Sequence, residues 1–220
     1  HGRKDFDWGT MKSITSYQSW DLGPQTVDLD LSQGPFATSL INQDQDLWTQ
    51  EFRFQSPEDA GPLSWRGGLF YMNKENSGAT RRQFPLNPLD PFNTIVVEGN
   101  RFTIEEENFA AYGKAAYDLG NGFSVEAGGR LDYTDASMSR VKTLAPFGPV
   151  PAQSPNSEGI YFSPTTGIVY AHNDNVSSFL RTGLGIKPHG YSAFSDDPAT
   201  ASFGEERNWS NEAGVHYNDP

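Results

Sequence analysis

The sequence predicts an all-β chain of antiparallel, up-and-down strands, a segment of a transmembrane β-barrel wall. Three observations carry this. Apolar and polar residues alternate with period two, and mid-strand charges keep to one parity. Short and long connections alternate, as in barrels with short turns at one membrane surface and long loops at the other. Several charge-free faces begin and end with an aromatic residue, as aromatic girdles require.

Eight strands are expected, at about 9–20, 45–56, 63–75, 102–118, 121–133, 158–172, 175–187 and 206–217. On 45–56, Trp48, Gln50, Phe52 and Phe54 oppose Thr49, Glu51, Arg53 and Gln55. On 63–75, Leu63, Trp65, Gly67, Leu69 and Tyr71 oppose a face holding Arg66 and Lys74. Within 102–118, Phe109 to Tyr117 by twos opposes Tyr112 and Lys114. On 121–133, Phe123, Val125, Ala127, Gly129, Leu131 and Tyr133 oppose Ser124, Glu126, Gly128, Arg130 and Asp132. The 158–172 segment is bounded by Phe162 and Tyr170, and Pro164, which has no ladder donor, predicts a bulge or strand end. On 175–187, Val176 to Ile186 by twos opposes Arg181 and Lys187. On 206–217, Trp209 to Tyr217 by twos opposes Asn208, Glu212 and His216.

The short connections are 57–62, the Gly-Asn pair within 118–122, and Asn-Asp within 172–175; the long ones cover about 21–44, 76–101, 134–157 and 188–205. Asn and Gly supply the positive φ of tight hairpin turns. From Phe123 to Tyr133, ten steps of ~3.3 Å at a tilt near ~40° span about 25 Å, the height of a barrel's apolar band. A water-soluble β-sandwich also alternates. Its core, however, wants bulky interdigitating side chains, and these faces mix in Gly, Ala, Ser, Thr and Asn.

Composition narrows the function. A net charge of −12 offers no basic surface for nucleic acid. The 220 residues contain no cysteine, which excludes disulfides and thiolate metal sites. No run approaches the ~18 apolar residues of a membrane helix. His1 to Thr10 lacks the apolar stretch of a signal peptide. No catalytic constellation is visible, so no enzyme activity and no cofactor is expected. His1, His172, His189 and His216 are scattered and lack ligand spacing, so no metal site is expected. Asp28, Asp30, Asp44 and Asp46 flank one long connection; they read as a solvated acidic loop, with calcium as the alternative.

Four stretches together resemble a known family. They are TQEFRFQSPEDAGPLSWRGGLFYMNKE (49–75), NFAAYGKAAYDLGNGFSVEAGGRLDYTD (108–135), FSPTTGIVYAHNDNVSSFLRTGLGIKPHGYSA (162–193) and NWSNEAGVHYND (208–219). In this order they resemble hairpins of TonB-dependent outer-membrane receptors. His189 departs from the family's usual Gly, and Ala213 and His216 vary the last strand. The resemblance implies an N-terminal plug domain, contact with TonB through it, and a barrel of about 22 strands. No plug motif is present and the C-terminus lacks a closing aromatic strand. Residues 1–220 are therefore expected to be a partial barrel domain, with a complete eight-stranded barrel as the alternative.

It further implies the outer membrane of a Gram-negative bacterium, contact with its lipid, and active uptake of a scarce ligand, most often a ferric siderophore or other iron complex. A passive porin-like barrel and a soluble sandwich binding module remain the alternatives. The Phe123 face would meet lipid. Glu51, Arg53, Glu126, Arg130, Asp132, Arg181 and Glu212 would line the lumen, either holding the plug or forming a salt-bridged wall. Arg81 and Arg82 in a long loop read as a solvated pair, with contact to an anionic chelate as the alternative, since guanidinium forks match planar anions. His189, Tyr191 and Phe194 are further loop candidates for ligand contact, with packing between loops as the equal alternative.

Overall fold

The computed structural model describes residues 1–31, 36–57, 61–87, 89, 94–195 and 200–218. They form β1 (Gly2–Phe6), β2 (Gly9–Asp28), β3 (Thr38–Gln55), β4 (Leu63–Pro85), β5 (Ile95–Gly120), β6 (Phe123–Ala145), β7 (Gly148–Gln153), β8 (Asn156–Ala171), β9 (Val176–Lys187), β10 (Gly190–Tyr191), β11 (Ser202–Phe203) and β12 (Glu206–Tyr217). One antiparallel sheet runs β1-β2-β3-β4-β5-β6-β8-β9-β12, with β7 on the far part of β6; β10 and β11 form a separate pair. Apart from β7 and the β10–β11 pair, which are inserted between sheet neighbours, the strands follow one another in sequence order, the up-and-down order expected.

The tight turn between β5 and β6 shows how local chemistry sets the register. Asn121 takes φ 54° and Gly122 φ 82°, and a Cβ on Gly122 would lie 2.6 Å from the Ala171 carbonyl. The connection 57–62 lies partly outside the described residues.

The strands are much longer than the alternation indicated. β4, β5 and β6 hold 23, 26 and 23 residues, so most of 21–44, 76–101 and 134–157 is strand rather than loop. The β5–β6 ladder continues from Phe109↔Tyr133 to Val97↔Ala145, which carries it about 30 Å beyond the aromatic level at the tilt used above. Above that level the outer face no longer meets an apolar medium and the inner face is partly covered by the chain itself, so the contrast between parities fades while backbone pairing persists. β1 went unread because GRKDF does not alternate, and β7 because its two prolines argue against a strand. A register shift between Leu22 and Gln25 falls at Gly23-Pro24, where a ladder donor is missing. Pro164 ends no strand: it pairs with Gly129 of β6. Only the ladder to β9 stops there, beginning at Thr165.

Burial is inverted relative to a protein that folds in water. Phe123 and Leu131 are 47% and 49% exposed, while Glu126 on the opposite face is 9% exposed. No second sheet covers the apolar face among the described residues, which removes the sandwich. Register lines up two aromatic levels on that face. Tyr17, Trp48, Tyr71, Phe109 and Tyr133 form the upper one, with Trp48–Tyr71 and Tyr71–Phe109 ring centroids at 5.4 and 4.6 Å. Phe6, Trp8, Trp65, Phe123 and Tyr170 lie at the lower, short-turn end.

Candidate functional site

The polar face of the sheet carries two groups of side chains. The lower group lies at the level of the apolar band. Arg53 pairs with Glu51 at 2.7 Å, and the Tyr112 hydroxyl donates to Glu51 at 2.5 Å. Arg130 pairs with Asp132 at 2.8 Å and lies 5.2 Å over the Phe70 ring. Asn108 donates to Asp132 at 3.2 Å and to Thr134 at 2.9 Å.

Glu126 accepts from Lys114 and Arg181, both at 2.7 Å. Arg181 stands on β9 and Glu126 on β6, with β8 between them. The residue facing both is Gly167, where a Cβ would lie 2.9 Å from each of those side chains. The glycine opens the gap that the ion pair crosses. Glu212 sits opposite Arg181 in register and is exposed. All seven charged residues assigned to this face lie on it. Lys12 and Arg66 share it and have no ion-pair partner among the described residues.

The upper group lies far along β4, β5 and β6. Glu98 pairs with Lys142 at 2.9 Å and with Arg82 at 3.6 Å. Beside it the segment after β9 folds inward onto the sheet, with Tyr191, Ala193 and Ala201 packed on Phe102, Ile104, Ala136 and Met138. Two polar side chains tie this strap down. Arg140, 3% exposed, donates to the Ser195 carbonyl at 2.7 Å and the Ala193 carbonyl at 3.4 Å, and also binds Gln153. Asn100 donates to the Ala193 carbonyl at 2.8 Å.

The proposed ligand contacts fare unevenly. Arg81 and Arg82 lie on β4, not in a loop, so they face opposite sides of the sheet; Arg82 faces inward. They cannot grip one anion together. His189 is held at the root of the strap by the Tyr161 hydroxyl and by the Ser157 carbonyl at 2.9 Å. Tyr191 is buried, and Phe194 meets Phe102 edge-on at 5.3 Å.

Asp28 and Asp30 cap their own connection, through Asp30 N–H to Asp28 and Ala37 N–H to Asp30. Asp44 and Asp46 lie on the outward face of β3, so the four do not converge. Sequence reasoning missed Arg140, Glu98, Lys142 and Asn100. A signal was available: stepping by twos from Asp132 reaches Arg140 and Lys142 on the same face.

A hydrogen-bonded up-and-down sheet with an apolar outside between two aromatic levels and an ion-paired inside is part of the wall of a membrane β-barrel. The chain belongs to the TonB dependent receptor-like β-barrel family, whose family model matches residues 2–220. Three solved structures share the fold. The ferric yersiniabactin uptake receptor FyuA from Yersinia pestis superposes with a TM-score of 0.83 at 19% identity, over 99% of this chain and 32% of that one. The siderophore receptor PiuA from Acinetobacter baumannii gives 0.72 at 12%, over 98% and 36%. The ferric citrate transporter FecA, in its unliganded form, gives 0.63 at 13%, over 98% and 31%. The chain therefore spans about a third of the length of each.

Proposed function

We propose that this chain is a partial barrel domain, forming wall strands of a Gram-negative outer-membrane receptor that takes up a scarce iron chelate with energy delivered through TonB. The observation that carries the reading is the inverted burial, apolar outside and ion-paired inside, in a member of this family. The named neighbours, which are receptors or transporters of iron complexes, point to the ligand class. In this reading the Glu51–Arg53, Glu126–Arg181 and Arg130–Asp132 pairs and Glu212 face a plug domain. The upper group faces the entering ligand, with Arg82 as the candidate anion contact and His189, Tyr191 and Phe194 presenting the strap. The protein performs transport and no covalent chemistry.

The test is uptake of iron-55 presented as a panel of ferric chelates, by cells carrying the intact gene, its deletion, or the intact gene without TonB. Loss of uptake of one chelate in both mutant strains is the expected result. Uptake that persists without TonB would make this a passive pore.

A further inference from the structure

Near its short-turn end the polar face sets like charges against one another. Arg3 of β1, Lys12 of β2 and Arg53 of β3 stand side by side in register. One strand further on, Arg66 of β4 lies directly opposite Lys114 of β5. Like charges placed directly opposite repel. The chain as a whole carries a net charge of −12, so composition does not account for this cluster of cations.

The wall's own carboxylates answer only some of them. Asp5 pairs with Arg3 at 3.0 Å, Glu51 with Arg53 at 2.7 Å and Glu126 with Lys114 at 2.7 Å. Lys12 and Arg66 are left without an ion-pair partner among the described residues, and both line one hollow of about 600 Å³. Its charged lining is Lys12, Arg53, Arg66, Lys114 and Arg130 against the carboxylate of Glu51. Lys12 faces Arg53 and Arg66 faces Gln55, so the two stand two strands and two residues apart. At the backbone that is about 12 Å. Such a spacing suits two carboxylates carried on one segment better than one inorganic ion.

We propose that an acidic segment, from the part of the receptor outside these 220 residues, seats in this hollow with one carboxylate on Lys12 and another on Arg66. The inference rests on the reading that the polar face encloses a plug domain, and it adds the sign of the plug surface that meets this sector. The match covers 32% of FyuA, so most of such a receptor lies outside this stretch of wall. An acidic occupant relieves the repulsion between the opposed cations; a basic one would add to it. Arg66 is exposed and Lys12 half-buried, so each contact is weak and reversible, about three-fold in the seated population.

The test uses the full-length receptor in outer membranes and a zero-length carbodiimide, which joins a lysine amine to a carboxylate in contact with it. Peptide mass spectrometry should find Lys12 linked to an Asp or Glu outside residues 1–220. The Lys114–Glu126 contact should give a link within the wall. As a second readout, Lys12→Gln with Arg66→Gln should speed hydrogen exchange in the linked segment about ten-fold, two contacts of three-fold each. Exchange in the β2–β3 and β3–β4 ladders should not rise, since the variants also remove like-charge repulsion. Lys12→Arg with Arg66→Lys keeps both charges and should retain the wild-type rate.

Lys12 linked only to carboxylates of the wall would overturn the proposal, as would unchanged exchange outside residues 1–220 in the double Gln variant. Loss of the Lys12 link in sodium phosphate, but not in sodium chloride of equal ionic strength, would assign the hollow to a small anion and overturn it equally. Absence of the wild-type protein from outer membranes would refute the receptor reading itself, a separate failure from that of the acidic seat.

Discussion

Arg140→Met should release the strap from the wall while leaving the wall intact. The substitution keeps most of the apolar stem and removes the guanidinium. Three contacts are lost, and they do not count equally. The bond to Gln153 ties β6 to β7 and does not hold the strap. The 3.4 Å contact to Ala193 is long, and Asn100 continues to bind that carbonyl. What remains is the 2.7 Å bond to the Ser195 carbonyl. A hydrogen bond to a charged group contributes ~1.5–3 kcal/mol, so about 2 kcal/mol of strap docking should disappear. That is about a 30-fold rise in the open population.

Hydrogen–deuterium exchange on the full-length receptor reads this directly. The Ser192 amide, which donates to the Ala201 carbonyl at 2.7 Å, should exchange about 30-fold faster. Amides in the β5–β6 ladder should keep their rates. Unchanged exchange at Ser192 would refute the latch. Equal acceleration across β5 and β6 would show that Arg140 supports the wall and not the strap.

Two further outcomes follow from the faces of the sheet. Ala127→Arg places a charge near the middle of the apolar band and should cost about 2–4 kcal/mol in urea unfolding from lipid vesicles, whereas Val141→Arg, on the same face but above the aromatic level, should stay within about 0.5 kcal/mol; equal costs would remove the assigned membrane level. Glu126→Ala and Arg181→Ala should couple by about 1 kcal/mol in a double-mutant cycle, between the values of exposed and buried pairs, because Arg181 is 41% exposed while Glu126 is 9% exposed; a coupling indistinguishable from zero would deny the bridge across Gly167.

The membrane-level strands were legible because their two faces meet different media. Around Glu126 and Arg130 the parity rule assigned every side chain correctly. Above Tyr133 the same rule became silent, since Ser137, Ser139 and Arg140 can all meet water or protein without contradiction. Regular strand was therefore mistaken for loop, and Arg81 and Arg82 were grouped as one anion site although a strand sends them to opposite faces. The strap was invisible for another reason. Its partners Asn100 and Arg140 lie 93 and 53 residues from Ala193, and no local pattern encodes such contacts.

The β5–β6 ladder also works as a measuring rod. Arg130, among the lower charges, and Arg140, under the strap, are ten residues apart on one continuously paired strand, about 33 Å along its length. Because no loop interrupts that stretch, the separation is fixed by backbone geometry and does not breathe with the rim. The two groups of charges therefore stand at a constant separation along the wall, and a movement of the wall that displaces one of them must carry the whole hairpin with it.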